Sequence, residues 1–431
     1  MRLLMTALGS YGDVLPIVGL ASAMNARGHQ ATIIANPLFQ PIIEAAGAGF
    51  VPIGTEEQYD EFTHHPDSWH PIRGPILAFR NFVSVHLHKL YELIDENHRP
   101  GETVLVAHCL DMASRVHQDK HGTPVASVHL APLTLRSLHE SPQMFGMWLH
   151  SWLPRWFKRA QYWVADQICD HLLAPELDTL RRGLGLEPVR GVMREWYFSP
   201  QLVLGLFPDW FARPQPDWPP NTVLTGFPLW DQSATMELSE EVDKFLSAGD
   251  PPVVFTPGSA MTNGRWFFEA AVDACRRLNR RGILVTNYPE QLPRELPSTV
   301  RHFGFVPFSR LLPRAAALVH HGGIGTSGQG LAAGLPQLVM PMAYDQLDNA
   351  TRLKRLGVAA TIRRNKFRSP AVAQALDSLL TLESVRAAGR HWAEQCDSAQ
   401  ALVASCEALE KLAETSLAVR RQPSARLAPR G

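Results

Sequence analysis

The chain has 431 residues, of which 45% are hydrophobic and 19% charged, a composition typical of a folded protein. At this length two domains of about 200 residues each are expected. The 41 basic and 41 acidic residues leave no net charge to attract a polyanion, so no nucleic-acid partner is expected. The five cysteines are odd in number and lack a Cys-x-x-Cys pair, which indicates neither disulfide bonds nor a zinc site. The N-terminal apolar run is too short for a signal peptide, and no apolar stretch is long enough to span a membrane. We therefore expect a cytoplasmic protein with reduced thiols.

The first half of the chain predicts a parallel sheet. An apolar strand, a glycine-bounded turn, a segment with helical spacing and a second apolar strand follow one another, and two further strands come later. The segments are residues 2–8, 9–12, 15–27, 31–35, 104–107 and 125–128. Strand, glycine loop, helix and strand form a βαβ unit, which implies parallel strands.

The second half repeats this plan. The predicted strands and helix are residues 253–256, 265–280, 282–286, 317–320 and 337–340. We therefore predict an α/β protein with two Rossmann-like open parallel-sheet domains that face each other across a cleft. The segment 207–231 between them is rich in proline, which stiffens a connector and is unsuited to a central strand. The predicted limits are 1–220 and 221–395 for the two domains, 396–415 for a C-terminal helix that packs back on the first domain, and 416–431 for a disordered tail.

Two glycine loops follow strands of the second domain. One is His320-His321-Gly-Gly-Ile-Gly-Thr326, which leads into a predicted helix, and the other is Thr256-Pro-Gly-Ser259. Glycine lets a backbone approach a ligand closely, and the N–H groups and dipole at a helix start attract an anion. Two such loops at the carboxyl ends of neighbouring strands suit one diphosphate at a switch point. The alternative is a tight strand–helix turn with two incidental histidines.

Two sites that contain an aspartate each allow a structural and a chemical interpretation. Asp13 follows the first glycine turn, where it is either the N-cap of the helix, which the local sequence favours, or a general base. Asp345 and Gln346 follow a strand of the second domain and either bind the hydroxyl groups of a sugar or lie in a solvated loop or helix cap.

These motifs together resemble those of a known enzyme family. From Phe303 to Ala350 the chain contains Phe-Gly-Phe-Val-Pro-Phe, His-His-Gly-Gly-Ile-Gly-Thr and Pro-Met-Ala-Tyr-Asp-Gln, which resemble the signature of the UDP-glycosyltransferases, family 1 of the GT-B glycosyltransferases. The opening Gly-Ser-Tyr-Gly-Asp-Val-Leu-Pro is similar to that of bacterial members. The resemblance covers residues 1–410. It implies an inverting hexosyltransferase that moves a sugar from a nucleotide diphosphate to an acceptor hydroxyl group, without a cofactor or a metal ion.

The resemblance also implies roles for individual residues. Asp13 would be the catalytic base, and the first domain would bind the acceptor. The diphosphate would be bound by Gly258, Ser259, His321, Gly323, Gly325 and Thr326, with the choice between His320 and His321 left open. The nucleobase and ribose would contact Phe305, Val306 and Gln329. The donor sugar would contact Asp345 and Gln346.

A narrower resemblance concerns the substrate. The segment Phe207-Pro-Asp-Trp-Phe-Ala-Arg-Pro and the later Thr225-Gly-Phe-Pro-Leu-Trp-Asp are similar to the rhamnosyltransferases of rhamnolipid biosynthesis. They imply dTDP-L-rhamnose as donor and a 3-(3-hydroxyalkanoyloxy)alkanoate as acceptor. The alternatives are a glucosyltransferase that uses UDP- or dTDP-glucose on a lipid, sterol or polyketide-type acceptor, a nucleotide-sugar epimerase, and a non-catalytic activator of a partner transferase.

Three tryptophans are spaced by four residues. Trp148, Trp152 and Trp156 could share one helical face, although Pro154 must interrupt the helix. The favoured interpretation is packing between helices. The alternative is a wall of the pocket for an apolar acceptor, or, together with Lys158 and Arg159, contact with the inner membrane or with a partner subunit that supplies the lipid.

Overall fold

Two parallel β-sheets organise the chain. The structure is a computed structural model that describes residues 1–233 and 236–421, with side chains to residue 416. The first sheet has seven strands in the order β3-β2-β1-β4-β5-β6-β7, and all its neighbours pair in parallel. Its strands are β1 (Arg2–Ala7), β2 (Gln30–Ala35), β3 (Gly49–Pro52), β4 (Thr103–His108), β5 (Val125–His129), β6 (Leu202–Gly205) and β7 (Thr222–Leu224).

Helices cover both faces of this sheet. They are α1 (Tyr11–Ala26), α2 (Gln40–Ala45), α3 (Glu56–His64), α4 (Arg73–Ala78), α5 (Leu87–Asn97), α6 (Ala113–His121) and α7 (Arg155–Gly183). Because both faces are covered, the central strands are rich in apolar residues, and all six residues of β4 are buried.

The second sheet has six parallel strands in the order β10-β9-β8-β11-β12-β13. Its strands are β8 (Val253–Thr256), β9 (Gly282–Val285), β10 (Val300–Phe303), β11 (Ala317–His320), β12 (Gln337–Val339) and β13 (Ala359–Thr361). Its helices are α8 (Glu240–Ser247), α9 (Arg265–Leu278), α10 (Phe308–Leu311), α11 (Ile324–Ala332), α12 (Gln346–Arg355), α13 (Ser369–Thr381) and α14 (Glu383–Gln395). Short 3₁₀ or π turns lie at Pro37–Phe39, Phe79–Ser84, Pro132–Thr134, Val192–Trp196, Pro289–Gln291, Leu312–Arg314 and Arg364–Lys366. Both sheets are doubly wound, and the predicted fold class is confirmed.

The proline-rich connector contributes an edge strand. β7 lies within the connector, two residues beyond the predicted domain limit at 220, and it pairs only with β6 at the border of the first sheet. An edge strand tolerates neighbouring prolines because one of its sides needs no ladder partner. The strand therefore agrees with the exclusion of this segment from central positions.

A last helix, α15 (Ser398–Arg421), returns to the first domain. Leu409 and Leu412 are buried in the same core as α1, and Glu410 binds Arg27 through paired contacts of 2.8 and 2.6 Å. The helix continues past residue 416, where a disordered tail was predicted to start, and residues 422–431 of that predicted tail lie outside the described residues.

The chain crosses between the domains twice, and the two crossings contact each other. The first crossing follows β7, and the second leads from α14 into α15. The hydroxyl group of Ser405 donates to Oγ1 of Thr225 at 2.8 Å, and the N–H of Leu229 donates to Oγ of Ser398 at 2.8 Å. The two connecting segments are therefore bonded side by side.

Candidate active site

The switch point of the first sheet lies between β1 and β4, where the strand order reverses. The loop after β1 contains Asp13, and β4 ends at His108. Because parallel strands end at one edge of the sheet, these side chains meet there: Nε2 of His108 lies 3.4 Å from Oδ1 of Asp13.

Asp13 lies inside the first turn of α1, so its predicted role as N-cap residue is wrong. The helix begins at Tyr11 after the N-cap Ser10. Oδ2 of Asp13 accepts the N–H of Ser10 at 2.7 Å and its hydroxyl group at 3.2 Å. The carboxylate thus binds the helix start with one oxygen, as in a capping box, and turns the other toward His108.

His108 is a site residue that sequence reasoning missed. Its ring is completely buried, which lowers its pKa, but the Cys109 sulfur and the Asp13 carboxylate favour the charged form and raise the pKa overall. A protonated His108 points Nε2 toward the Asp13 carboxylate and fixes its orientation. The available signal was a histidine at the carboxyl end of a predicted strand. His129 ends β5 in the same way, and burial lowers its pKa to about 3, so this ring is neutral.

The switch point of the second sheet lies between β8 and β11. His320 pairs in register with Thr256, so both glycine loops leave the sheet at the same level. A Cβ atom on Gly258 would lie 2.9 Å from Cε1 of His321, and one on Gly323 would lie 2.6 Å from its Nε2. The two loops therefore enclose the His321 ring between them, and only glycine fits at either position.

The two histidines have different environments. His320 is buried, accepts the N–H of Gly322 at Nδ1 and contacts Oε1 of Gln337 through Nε2 at 2.9 Å, so both of its ring nitrogens are engaged. Nδ1 of His321 is buried and has no hydrogen-bond partner among residues 1–233 and 236–421. Burial lowers the pKa of His321 to about 4, so its ring is neutral. The geometry favours His321 as the ring that meets a diphosphate.

Other unpaired polar atoms surround this ring. Within the described part of the chain, Trp69 Nε1, Ser327 Oγ and Asn349 Oδ1 are buried without a hydrogen-bond partner. Trp69 packs edge-on against His321, and Asn349 donates to the carbonyl of Gly322. Buried polar groups are normally paired, so a cluster of unpaired ones indicates the place of a polar ligand.

The start of α11 lies at the same place. Gly323 is its N-cap, and Gly325 and Thr326 form its first turn, so their N–H groups are not all used within the helix. Ser259 is exposed at the other loop. Of the positions that the resemblance implies for the diphosphate, the structure thus places Gly258 and Gly323 against His321, and Gly325 and Thr326 follow in the first turn of α11.

The Asp345–Gln346 pair lies at the start of α12. Oδ2 of Asp345 accepts from Nδ2 of Asn349 at 2.7 Å, and burial, together with the charge of Asp13, raises the pKa of Asp345 to about 7. The charge of Asp13 in the first domain thus acts on Asp345 in the second. Oε1 of Gln346 accepts the N–H groups of Met342 and Ala343 at 2.8 and 3.1 Å, so this oxygen supports the loop.

The predicted nucleoside residues lie after β10 and on α11. Phe305 is partly exposed and Val306 is buried. Nε2 of Gln329 is 3.4 Å from Oδ2 of Asp231, which also accepts the N–H of Ser309 at 2.7 Å. Asp231 is a buried carboxylate beside this position that the sequence reasoning did not identify.

A segment of the first domain covers the second. The Trp69 ring packs against both His321 and Tyr344, and the hydroxyl group of Tyr344 donates to the carbonyl of Ser68 at 2.6 Å. The hydroxyl group of Thr262 donates to the carbonyl of Thr63 at 3.0 Å. The interdomain cleft is therefore closed over the two glycine loops.

The three tryptophans are not core residues, and the favoured prediction for them is wrong. Trp148, Trp152 and Trp156 are 70%, 77% and 71% exposed. They do not share a helical face either, because α7 begins after Pro154, and only Trp156 belongs to it. Lys158, predicted as a possible membrane contact, is buried instead and directs Nζ to the carbonyl of His139.

Known proteins share this architecture. A sequence profile for the C-terminal domain of erythromycin biosynthesis protein CIII-like proteins matches residues 273–409. The chain is 30% identical over 429 residues to O-mycaminosyltylonolide 6-deoxyallosyltransferase of Streptomyces fradiae, covering 96% of this chain and 98% of the relative. It is 27% identical to glycosyltransferase GtfC of Amycolatopsis orientalis over 84% and 86% of the two chains. The chain belongs to the family 1 glycosyltransferases of the GT-B fold.

Solved structures agree with this fold. This chain superposes on the crystal structure of the glycosyltransferase of kitacinnamycin with a TM-score of 0.73 at 20% identity, and the match covers 95% of this chain and 98% of the other. It superposes on the spinosyn rhamnosyltransferase solved with thymidine diphosphate with a TM-score of 0.64 at 18% identity, covering 92% and 96%. The protein is a hexosyltransferase that uses a nucleotide sugar, and the epimerase and activator alternatives are set aside. None of the helices in its described residues is long and apolar enough to cross a membrane.

The environments of the two histidines predict different effects of mutation. His321→Ala should weaken dTDP binding by about 10- to 100-fold, because it removes a hydrogen bond to a charged group. His320→Ala should mainly lower the melting temperature, because it leaves Gln337 and Gly322 unpaired. Calorimetric titration of the folded variants with dTDP measures the first effect. A larger loss of affinity in the His320 variant would reverse the assignment.

Proposed function

We propose that this glycosyltransferase moves L-rhamnose from dTDP-L-rhamnose, with inversion, to the hydroxyl group of an apolar acceptor such as a 3-(3-hydroxyalkanoyloxy)alkanoate. The proposed chemistry rests on one observation. The switch points of the two sheets meet across the closed cleft, with Asp13 and His108 on one side and Asp345 and His321 on the other. The choice of sugar is supported by relatives whose names specify a 6-deoxyallosyltransferase and a rhamnosyltransferase complexed with thymidine diphosphate. Both names denote 6-deoxy sugars.

The surroundings of the sugar position also suit a 6-deoxyhexose. The rings of Trp69 and Tyr344 lie 5.9 Å apart beside His321 and Asp345. A methyl group at C6 can pack on such rings, whereas a C6 hydroxyl group would need a polar partner. Asp345 lies at the polar end of the same region and accepts hydrogen bonds from the sugar hydroxyl groups.

The proposed reaction is one displacement. Oδ1 of Asp13 takes the proton of the acceptor hydroxyl group, whose oxygen attacks the anomeric carbon, while the bond to the diphosphate breaks. The leaving diphosphate is bound by His321 and by the N–H groups at the start of α11, which supply positive potential without a metal ion or cofactor. Closure of the cleft brings donor and acceptor together, which can account for ~7–11 kcal/mol of the barrier.

We further propose that the exposed tryptophans meet the cytoplasmic face of the inner membrane, where an apolar acceptor is available. Trp163 lies seven residues after Trp156 on α7 and is 59% exposed, so both rings point to one side of the helix. Arg155 and Arg159 are exposed on the first turns of the same helix. Tryptophan and arginine together suit an interface with anionic lipids.

The donor and acceptor are tested first by a thermal-shift panel of dTDP, UDP and GDP, and then by mass spectrometry of reactions with dTDP-L-rhamnose or UDP-glucose and a 3-(3-hydroxyalkanoyloxy)alkanoate. We expect dTDP to raise the melting temperature most and the product to gain one deoxyhexose. A stronger shift with UDP, and transfer of glucose only, would replace the proposed donor.

The role of Asp13 is tested by Asp13→Asn. The substitution keeps the size of the side chain but removes its basicity, so kcat should fall by about 10²- to 10⁴-fold while the Kd for dTDP stays within a factor of about two of wild type. The matched control is Asp60→Asn, an exposed carboxylate on α3 of the same domain. A kcat close to wild type for Asp13→Asn would place the base elsewhere.

Membrane contact is tested by co-sedimentation with vesicles that contain anionic lipid. We expect wild type to bind them, and a Trp152→Ala, Trp156→Ala double variant to bind at least several-fold more weakly, because exposed indole rings are removed without loss of core packing. Val403→Ala, at an exposed apolar position on α15, serves as the control. Equal sedimentation of the three proteins would contradict the proposed contact.

A further inference from the structure

A group of imidazole and carboxylate side chains lies far from the reaction site. Asp95 is near the end of α5, and His117 and His121 are on α6. α6 follows the carboxyl end of β4 and runs back toward the start of β5, so its last turn lies at the amino edge of the first sheet. Asp13 lies at the opposite edge. The group therefore has no part in sugar transfer.

The spacing of the three ligand atoms fits a metal ion better than hydrogen bonds. Oδ1 of Asp95 lies 3.3 Å from Nε2 of His117 and 3.6 Å from Nε2 of His121. These distances exceed the usual hydrogen-bond range. Bonds of 2.0–2.2 Å to tetrahedral zinc place the ligand atoms about 3.3–3.6 Å apart. All three atoms lie within 4.8 Å of one another.

His117 supplies an independent observation. Its side chain is completely buried, and neither of its ring nitrogens has a hydrogen-bond partner in the described residues. A buried imidazole without a hydrogen bond is costly unless a ligand completes its coordination.

The residues around Asp95, His117 and His121 are compatible with a bound metal ion. The hydroxyl group of Tyr91 lies 3.2 Å from Nε2 of His121, and this contact must be released when the nitrogen binds a metal. The His98 ring packs 4.7 Å from that of His117, and its Nε2 lies 3.3 Å from Oγ1 of Thr123. Asp95 is 54% exposed, so solvent can reach the fourth coordination position.

We propose that Asp95, His117 and His121 bind a zinc ion that ties α5 to α6. Two histidines four residues apart on one helix, with a carboxylate from a second helix, form a three-ligand set, and water occupies the fourth position. Spacing in the sequence alone does not reveal this set. Asp95 is 22 residues before His117, and only the packing of α5 on α6 brings them together.

The test uses the full chain without an affinity tag. After treatment with a chelator, the protein is titrated with Zn²⁺, and its metal content is measured by mass spectrometry. We expect about one tightly bound ion per chain and a melting temperature that rises by several degrees. Co²⁺ bound in its place should give the visible absorption of a tetrahedral site.

Two variants make the test specific. Asp95→Asn and His121→Gln change partly exposed ligands, so the fold is retained, and each should weaken zinc binding by roughly 10-fold or more. The control is His88→Gln, an exposed histidine on α5. Transfer activity should remain unchanged in all three variants, which separates this proposal from the proposed sugar and acceptor. Equal zinc affinity in Asp95→Asn, His121→Gln and wild type, or no binding beyond that of surface histidines, would overturn the proposal.

Discussion

The donor side of this enzyme depends on one packing constraint, the enclosure of the His321 ring between Gly258 and Gly323. A methyl group at either glycine would overlap the ring. The parallel register of β8 and β11 brings the two loops to the same height, and the absence of side chains lets them close. His320, at the end of β11, holds the start of this glycine loop in place through its hydrogen bonds with Gln337 and Gly322. The neutral, buried ring is thus held in place before any anion arrives, which limits the reorganisation that binding requires.

The corresponding edge of the first sheet is built on the same principle with different chemistry. At the edge between β1 and β4, the Asp13 carboxylate is anchored at the start of α1 and is oriented by a buried, charged histidine. The other domain offers a neutral histidine and a helix start. The two edges therefore differ in electrostatic character: the first suits removal of a proton, and the second suits a growing negative charge.

Much of the fold could be predicted because its information is local. The strands around Met5, Phe255 and Val319 are short apolar runs that end in glycine turns, and such runs predict a parallel sheet. β3, β7, β10 and β13 escaped prediction because edge strands of three or four residues with exposed positions carry little pattern. β6 also escaped, because a buried run of only four residues carries little pattern either. His108 escaped because its importance depends on Asp13, which is distant in sequence. The prediction that the three tryptophans pack between helices was wrong. Spacing by four indicates a shared face only within a helix, and α7 begins only after Pro154.

The paired crossings between the domains determine how the molecule can open. A single flexible tether would let the lobes swivel and twist freely. Here two connecting segments run side by side and are bonded at Thr225 and Leu229, and the second leads into α15, which is anchored to the first domain near its middle through Glu410. Such a pair of bonded connections acts as a hinge, which favours one axis of domain rotation and restricts the others. Any rotation of the lobes must preserve this bonded pair of connections, which restricts the paths by which Trp69 can leave Tyr344.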